Sequence, residues 1–297
     1  MSACLIIGMG YSAAAITRSL VDNMPVSATI RRRENYHKVE TLGARPILFD
    51  GESASAELAD ALATTTHLLI SAPPGASGDP LLLRHRPDVL AAPRLGWIGY
   101  LSTVGVYGNH DGGWVDETTM PQPNSVRARQ RLGAETDWQK LAQQRATPVQ
   151  IFRLGGIYGP GRNTLVALAD GTQRRIVKPG QVFNRIHVQD IAGMVLAGMA
   201  HPQAGPVLNG VDDEPAAPQD VVVYAAGLMG RDPPPAITLD EAGLSPMGRS
   251  FYAENKRISN RTTKAQLDYR LLYPTYREGL AALAAQRDWE QNPPPDA

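Results

Sequence analysis

A glycine-rich turn after the first apolar run constrains the fold of this chain more than any other stretch. The run Ala3 to Ile7 leads into Gly8-Met9-Gly10-Tyr11-Ser12-Ala13, which has the form G-x-G-x-x-A and continues directly into a helix of small residues. Gly8 permits a tight turn, Gly10 lets the backbone approach a pyrophosphate, and Ala13 lets the helix lie close on the strand. The N–H groups at the positive end of that helix suit phosphate. The pattern predicts a dinucleotide-binding turn, with a purely structural glycine turn as the alternative.

Strands and helices alternate after this turn, as in a doubly wound α/β domain. Apolar runs predict strands at Val26 to Ile30, Arg45 to Phe49, His67 to Ala72, Leu95 to Ser102 and Val149 to Leu154. Helical patterns, such as the alanine-rich stretch Ala54 to Ala63, lie between them. A chain of 297 residues is long enough for one large domain, or for one domain with a small lobe. Because open parallel sheets bind ligands at the carboxyl ends of their strands, the residues directly after each strand are the candidates for a site.

Three arginines follow the second strand and bear on the choice of cofactor. An enzyme that uses NAD places an Asp or Glu at this point for the ribose hydroxyls, whereas this chain has Arg31, Arg32 and Arg33. Guanidinium groups suit the 2′-phosphate of NADP. The position therefore favours NADP over NAD, with Arg31 and Arg32 as the phosphate contacts. A solvated basic loop is the alternative.

The ends of the third and fourth strands supply the remaining predicted cofactor contacts. Asp50 follows the third strand, where its carboxylate can accept a hydrogen bond from an adenine amine, although an Asp before Gly51 is equally typical of a turn. Residues 71–73 follow the fourth strand and are expected to pass under the cofactor as a narrow backbone shelf. The full predicted set is Gly8, Gly10, Tyr11, Ser12, Ala13, Arg31, Arg32, Asp50, Ser71, Ala72 and Pro73.

The charge balance and the single cysteine limit the class of partner. The sequence holds 29 basic and 29 acidic residues, so its net charge of zero argues against nucleic acid or a membrane surface and favours a small molecule. Cys4 lies in the apolar first strand, where a raised thiol pKa makes it a poor nucleophile or metal ligand, and no metal site is predicted. The lone cysteine, the lack of an apolar run of transmembrane length and the lack of a basic signal-peptide start predict a cytoplasmic protein.

Further motifs follow the later strands and precede the last helices. They are Ser102-Thr103-Val104-Gly105-Val106-Tyr107-Gly108, Gly156-Ile157-Tyr158-Gly159-Pro160-Gly161-Arg162, Asn184-Arg185-Ile186-His187-Val188-Gln189-Asp190-Ile191-Ala192 and the closing segment from Lys256 to Leu280. Together with the glycine turn they resemble the extended short-chain dehydrogenases/reductases, the NAD(P)-dependent epimerase/dehydratase-like group. The likeness covers nearly the whole chain, and it is to the atypical members of that group.

The resemblance implies a Rossmann-type doubly wound parallel sheet with a small C-terminal substrate lobe, the two interleaved in sequence. Residues 1–157 and 185–211 are then the nucleotide-binding domain, 158–184 and 212–285 the lobe, and 286–297 a flexible tail. The substrate crevice lies between domain and lobe. The residues predicted to contact substrate are Tyr158, Arg162, Asn163, Arg185 and His187.

The helix after the fifth strand departs from the family pattern. Members of the family normally carry Tyr-x-x-x-Lys there; the Tyr serves as acid/base, and the Lys lowers its pKa and holds the nicotinamide ribose. Aligning Ala134-Glu135 with the A-E that follows the family motif puts Arg127 at the Tyr position and Arg131 at the Lys position. An arginine stays protonated at any working pH, so Arg127 cannot perform that proton transfer. Arg131 can still bond a ribose hydroxyl or orient an anionic substrate.

Other groups must supply the chemistry if the protein is an enzyme. Thr103 matches the family's Ser/Thr position, which polarises the substrate oxygen; a strand-end threonine bonded to local backbone is the alternative. Tyr107 and Tyr158 are phenols within the matching motifs, although Tyr107 lies where the family's tyrosine is usually structural. His187 can titrate near neutrality, but it lies in an apolar strand, where a core histidine is more common. The predicted catalytic set is Thr103, Tyr107, Arg127 and Arg131.

Three hypotheses about function remain open. The first is an NADP-dependent oxidoreductase or epimerase that acts on a sugar-like or other small carbonyl or hydroxyl compound with an altered catalytic tetrad. The second is a non-catalytic regulator or sensor in which NADP(H) occupancy changes a protein surface; the arginines at 127 and 131 favour it. The third is a structural remnant without a ligand. The resemblance also predicts a homodimer that pairs helix residues 127–142, whose main apolar positions are Leu132, Trp138 and Leu141.

Overall fold

The computed structural model describes residues 2–291. The strands are β1 (Cys4–Ile7), β2 (Val26–Ile30), β3 (Arg45–Leu48), β4 (His67–Ile70), β5 (Trp97–Thr103), β6 (Trp114–Val115), β7 (Val149–Leu154), β8 (Gly156–Tyr158), β9 (Arg175–Ile176), β10 (Arg185–His187), β11 (Val207–Gly210), β12 (Ala236–Ile237) and β13 (Arg257–Ile258). The helices are α1 (Tyr11–Leu20), α2 (Tyr36–Glu40), α3 (Ala56–Thr64), α4 (Pro80–Ala91), α5 (Val126–Arg145), α6 (Thr164–Ala169), α7 (Val188–Ala200), α8 (Pro218–Leu228), α9 (Pro246–Phe251), α10 (Arg261–Leu267), α11 (Tyr276–Ala285) and α12 (Asp288–Gln291). Within this range no helix is both long enough and apolar enough to cross a membrane.

A seven-stranded sheet in the order β3-β2-β1-β4-β5-β7-β11 forms the centre of the molecule. All of its neighbouring strands are parallel. The chain order reverses between β1 and β4, which makes their carboxyl ends the switch point where such sheets bind ligands. The predicted Rossmann-type fold class is confirmed.

The first strand shows how the core divides between the two faces of the sheet. Leu5 and Ile7 pack toward the helices α3, α4 and α5, whereas Cys4 and Ile6 pack toward α1 and α7. Apolar side chains on both faces are typical of a parallel sheet covered by helices on both sides. Burial raises the pKa of the Cys4 thiol to about 12, so the thiol is protonated and unreactive at neutral pH.

Strand boundaries differ from the sequence prediction by one or two residues. The strand predicted at Leu95 to Ser102 is β5, Trp97–Thr103, and the one predicted at His67 to Ala72 ends at Ile70. The reason at β4 is local, because the N–H groups of Ser71 and Ala72 both donate to the Ile7 carbonyl, at 2.9 and 2.8 Å. Two donors converging on one acceptor bring the chain out of the ladder and into the loop that faces the switch point.

The helix that was expected to pair in a homodimer buries its main apolar residues in its own subunit. Trp138 and Leu141 of α5 are 0% exposed and belong to the core beneath the sheet. The indole Nε1 of Trp138 also donates to Oδ2 of Asp79 at 3.2 Å, which ties α5 to the start of α4. These two positions are therefore unavailable as a docking face, and the homodimer stays a prediction.

The lobe has a core of its own around α6, α8 and α11, which includes Tyr158, Leu165 and Tyr276. The boundaries between domain and lobe stay a prediction. Strand β10, expected to return to the main sheet, pairs instead with β8 in a separate two-stranded sheet. Strand β13 pairs with β6, and Leu267 of α10 packs in the core of the main sheet.

The predicted flexible tail, residues 286–297, is described only as far as Gln291; the rest lies outside the described residues. The described part is structured, because Asp288 is 3% exposed and accepts hydrogen bonds from the Gly161 N–H at 2.9 Å and the Asn163 side chain at 2.6 Å. Helix α12 therefore anchors this end of the chain to the loop before α6.

Candidate functional site

The glycine turn between β1 and α1 is fixed against the loop after β4. Gly8 has φ +91°, and a Cβ on it would lie 2.9 Å from the backbone nitrogen of Ala72. Its N–H donates to Oγ1 of Thr29 on β2 at 2.8 Å. Both the backbone conformation and the close approach require glycine at this position.

Gly10 differs from Gly8, because nothing in the protein crowds it. It precedes α1 with φ −111° and ψ −171°, an extended conformation open to any residue, and no heavy atom of a neighbouring segment lies within 4 Å of an added Cβ. No side chain caps α1, and its first turn carries no acidic residue. The N–H groups of Tyr11 and Ser12 therefore face a concave backbone cradle at a positive helix end. This cradle fits a pyrophosphate, while Ala13, 0% exposed, packs against the sheet.

Tyr11 extends this site toward the lobe. Its hydroxyl donates to the Pro160 carbonyl at 2.9 Å, and the Arg162 guanidinium lies 5.6 Å from its ring centroid. Burial raises the pKa of Tyr11 to about 12, so it is a neutral phenol. The glycine turn and the predicted substrate loop are therefore in direct contact.

The arginines after β2 are exposed, as a site for a 2′-phosphate requires. Among residues 2–291, Arg32 makes a solvent-exposed ion pair with Glu34 at 3.4 Å, and the Arg33 guanidinium lies 6.0 Å from the ring centroid of Tyr36. Asp50 is exposed, and its Oδ1 accepts the Glu52 N–H at 2.8 Å in a turn. This bond matches the turn-forming interpretation of Asp50.

A cleft of about 1170 Å³ opens between the carboxyl edge of the sheet and the lobe. Its walls come from the Pro73 shelf, the end of β5, the first turns of α5, the β8–β10 pair and helix α9. It thus brings together Thr103, Arg127 and Arg131 with Tyr158, Arg162 and Arg185, all predicted from the sequence. Within residues 2–291 no trio of His, Cys, Asp or Glu side chains is placed to hold a metal ion.

Thr103 ends β5 at the floor of this cleft. Its Oγ1 accepts the Gly105 N–H at 3.1 Å and caps the short 3-10 turn Val104–Tyr107. This is the local backbone bond expected of a strand-end threonine. It uses the hydroxyl as an acceptor, so the hydroxyl proton remains able to donate to a ligand oxygen.

Arg127 and Arg131 lie one helical turn apart at the start of α5. Nη1 of Arg131 donates to the Leu101 carbonyl at 2.8 Å and to the Tyr100 hydroxyl at 3.2 Å, which fixes the guanidinium under the cleft. Arg127 is exposed and its Nη1 lies 2.9 Å from Sδ of Met247, a residue of α9. The two cations therefore differ, since one is anchored to β5 and the other reaches across to the lobe.

Tyr107 does not reach the cleft, so the predicted catalytic role is wrong. It is 0% exposed, and its hydroxyl donates to Oδ1 of Asn209 on β11 at 2.8 Å. The Arg153 guanidinium lies 4.7 Å from its ring centroid. Burial raises the pKa of Tyr107. The 3-10 turn that follows Thr103 rotates this side chain into the interior, where it joins two strands of the sheet.

His187 is also buried rather than presented to a substrate. It is 2% exposed, its ring lies 4.1 Å from that of Tyr273, and its Nδ1 accepts the Gln189 N–H at 3.2 Å. Burial lowers its pKa to about 4. The residue is a neutral helix cap for α7, so the prediction of a substrate contact is wrong.

Tyr158 lines the cleft, but its hydroxyl is directed at the lobe helix α11. Its only hydrogen bond among the described residues runs to the Thr275 carbonyl at 3.4 Å, and a Cβ on Gly279 would overlap its oxygen. Burial raises the pKa of Tyr158 far above its ordinary value. The ring forms part of the wall, while the hydroxyl belongs to the packing of the lobe.

A smaller cavity of about 240 Å³ adjoins the cleft inside the lobe. Arg162 and Arg185 line both spaces. Asn163 lines the smaller one, yet its Oδ1 is used to cap α6 by accepting the Leu165 and Val166 N–H groups at 2.9 and 3.2 Å. Nη1 of Arg185 donates to the Phe183 and Ala216 carbonyls at 3.0 and 3.2 Å, so the backbone holds this guanidinium between the two spaces.

Known proteins that resemble this chain share both the sequence and the fold. No family model matches the chain. Protein YeeZ of Escherichia coli K12 is 33% identical over 185 residues, which is 59% of this chain and 63%, less than two thirds, of YeeZ. The solved structure of a functionally unknown conserved protein from Silicibacter pomeroyi DSS is 46% identical, with a TM-score of 0.87 over 97% of this chain and 99% of that one. A protein of Methylobacillus flagellatus, provisionally assigned as an NAD-dependent epimerase/dehydratase, is 26% identical with a TM-score of 0.70 over 96% and 99%.

This chain is similar in sequence and fold to NAD-dependent epimerase/dehydratase-like proteins. UDP-glucuronic acid 4-epimerase from Bacillus cereus, solved in complex with NAD, has the same fold at 17% identity, with a TM-score of 0.76 over 97% of each chain. The shared fold thus covers 97% of this chain.

Sequence reasoning missed the part of the cleft that the lobe contributes. Lys256, Glu254 and Tyr252 line it, and so does α9 through Met247 and Phe251. Nζ of Lys256 donates to Oε2 of Glu254 at 2.5 Å, and burial lowers the pKa of the Lys256 ammonium. No spacing in the sequence marks these residues, because their segment becomes part of the cleft only when β13 pairs with β6.

Proposed function

We propose that this protein is an NADP-dependent oxidoreductase or epimerase acting on a small carbonyl or hydroxyl compound, with a catalytic set altered from that of its family. The observation that carries the proposal is the uncapped start of α1 at Gly10, in contact through Tyr11 with the loop that lines the substrate cleft. A helix end suited to phosphate and an open, largely apolar cleft that carries several arginines lie on the same edge of the sheet. That arrangement suits a dinucleotide whose reactive end enters the cleft.

Different residues along the carboxyl edge of the sheet bind different parts of the cofactor and substrate. The α1 N–H groups hold the pyrophosphate, and the exposed Arg31 and Arg32 neutralise a 2′-phosphate. Arg131, anchored by the Leu101 carbonyl, has Nε and Nη2 left to bond the nicotinamide ribose. A bound nicotinamide supplies or accepts a hydride. The Thr103 hydroxyl orients a substrate oxygen by donating to it.

Arg127 stays protonated, so another group must supply the proton that accompanies the hydride. Tyr107 and His187 are buried away from the cleft. The groups that line the cleft and can exchange a proton are Tyr252 and the Lys256–Glu254 pair, or water held by Thr103. Tyr252→Phe and Lys256→Met, compared for turnover at equal cofactor occupancy, distinguish these sources.

Calorimetric titration with NADP and with NAD tests the proposal directly. We expect NADP to bind in the micromolar range or tighter and NAD to bind at least about tenfold more weakly. Binding of neither nucleotide contradicts the proposed function. Equal binding of both keeps the dinucleotide site and removes the preference for NADP.

A non-catalytic NADP(H)-responsive regulator is the second candidate. The observation that favours it concerns the three proton-donor candidates from the sequence, because the hydroxyls of Tyr107 and Tyr158 and Nδ1 of His187 are in structural hydrogen bonds. Turnover of any carbonyl, hydroxyl or sugar-nucleotide compound in a broad panel excludes it. If no compound turns over, hydrogen exchange of α9 with and without NADP tests whether occupancy changes that surface.

A further inference from the structure

The guanidiniums of the cleft lack carboxylate partners. Arg127, Arg131, Arg162 and Arg185 all line it, and among residues 2–291 none of them has a carboxylate oxygen within the 4.0 Å of an ion pair. Glu254, an acid in the cleft wall, is already paired with a lysine. The whole chain is electrically balanced, with 29 charges of each sign. The positive cleft is therefore a local feature, suited to an anion.

Arg127 is one of the members of this group whose donors have no oxygen partner among the described residues. Its side chain is exposed, and its one hydrogen-bond neighbour among the described residues is the thioether of Met247, at 2.9 Å. A thioether is a weak acceptor, whereas a guanidinium carries five N–H donors in a planar fork. Arg131, by contrast, is anchored to two oxygens of β5.

Arg127 lines the same cleft as Thr103, and its helix begins close to the turn that follows Thr103. A Cβ on Gly105 would lie 3.4 Å from Oγ1 of Thr103 and 3.9 Å from Cβ of Ala128, the residue next to Arg127. Gly105 thus lies between the hydroxyl that orients a substrate oxygen and the first turn of α5. The contact with Met247 directs the guanidinium toward α9.

We propose that the second ligand of this cleft is a small carboxylic acid whose carboxylate binds Arg127 while an oxygen on the neighbouring carbon accepts the Thr103 hydroxyl. The inference rests on the proposed function, because it gives the substrate class of the same site. A planar carboxylate matches the guanidinium fork with two parallel hydrogen bonds, and its charge replaces the partner that Arg127 lacks. Arg127, which stands where the family carries its catalytic tyrosine, thereby selects the substrate.

Binding of matched acid and amide probes to the protein saturated with NADP tests this inference. Oxamate and glucuronate are titrated against their neutral amides, oxamide and glucuronamide, with inorganic phosphate as a third anion. We expect both acids to bind at least about tenfold more tightly than the amides and the acid binding to weaken with salt. Arg127→Gln is expected to remove that preference, and Arg127→Lys to restore part of it.

Arg129→Gln is the matched control, because Arg129 is an exposed arginine on the same helix that bonds only the Pro123 and Asn124 carbonyls among the described residues. It should leave both affinities unchanged, and all variants should bind NADP as the parent does. Three outcomes overturn the inference while the cofactor site stands. The acids and amides bind equally, the acids fail to bind, or only phosphate binds through Arg127. If neither NADP nor NAD binds the parent protein, the proposed function fails and this inference fails with it.

Discussion

The hydroxyl of Tyr107 donates to Oδ1 of Asn209 across 2.8 Å, joining the turn after β5 to the strand β11 at the far edge of the sheet. Asn209 is itself fixed, because its N–H donates to Oγ1 of Thr263 at 2.6 Å and its side-chain amide donates to the Ser259 carbonyl at 3.0 Å. Tyr107 therefore belongs to a buried polar network that attaches α10 to the sheet. Tyr107 stabilises the fold, although it belongs to the same sequence motif as Thr103.

Tyr107→Phe is expected to lower the free energy of unfolding by about 1–2 kcal/mol, since it leaves the buried Asn209 oxygen without its donor. NADP affinity and any turnover should stay at the parent level. Urea unfolding followed by circular dichroism measures the first effect, with Tyr36→Phe in the surface helix α2 as the control. A large loss of turnover with unchanged stability would return Tyr107 to the catalytic site.

Gly8 and Gly10 should respond oppositely to substitution. Gly10→Val keeps an allowed backbone conformation and meets no protein atom, so the variant should unfold like the parent but lose nucleotide binding, because the side chain fills the cradle. Gly8→Ala should be destabilised, because it combines φ +91° with a 2.9 Å contact to Ala72. Thermal unfolding and calorimetric titration separate the two. A folded Gly10→Val that binds NADP normally places the nucleotide elsewhere.

The preference for NADP is expected to depend on Arg31 and Arg32. Replacing both by Ala should weaken NADP binding about tenfold or more and leave NAD binding nearly unchanged, since charge-assisted bonds contribute about 1.5–3 kcal/mol each. Arg33→Ala is the neighbouring control, because that guanidinium lies 6.0 Å from the centroid of the Tyr36 ring. If the double variant loses affinity for NAD and NADP equally, the two arginines do not bind the 2′-phosphate.

Glu135 and Arg153 form a buried ion pair directly under the Thr103 end of β5. Nη2 of Arg153 and Oε2 of Glu135 are 2.7 Å apart, and Ser102 donates to Oε1 at 2.5 Å. Glu135→Gln should cost about 3–5 kcal/mol of unfolding free energy, because it leaves a buried guanidinium without its counter-charge.

The exposed pair of Arg45 and Glu57 is the matched control for that change. Glu57→Gln should cost about 1 kcal/mol or less, because water screens a surface pair. Denaturant midpoints for the two variants give the comparison. Equal costs would mean that burial does not set the strength of the Glu135 pair.

The unfolding free energy should carry a pH dependence from His187. Its pKa is about 4 in the folded protein and near 6.5 in the unfolded chain, so the unfolded chain binds more protons between those values. The stability gained from the neutral imidazole is therefore present above about pH 6.5 and is lost as the pH falls toward 4. Between pH 7 and pH 5, the unfolding free energy of His187→Gln should fall by about 2 kcal/mol less than that of the parent. Urea unfolding at the two pH values checks this, with the exposed His37→Gln as control.

The places of the strands β1 to β5 and β7 in the chain and the glycine turn could be predicted from the sequence because they depend on local patterns. An apolar run followed by G-x-G-x-x-A needs only near neighbours to define a strand, a turn and a helix, and Gly8 and Gly10 have the conformations that the pattern implies. The residues that follow the strands then lie at one edge of the parallel sheet. Thr103, Arg127 and Arg131 consequently meet in one cleft, as their places in the chain predicted.

The direction of each side chain could be decided only by the tertiary structure. Tyr107 and Thr103 lie four residues apart in one motif, yet a 3-10 turn sends one into a buried network and leaves the other in the cleft. His187 is buried because β10 pairs with β8, and Lys256 reaches the cleft because β13 pairs with β6, both contacts between distant parts of the chain. Local sequence sets which groups are available, whereas long-range pairing sets their burial, and burial decides whether a phenol, an imidazole or an ammonium can meet a ligand.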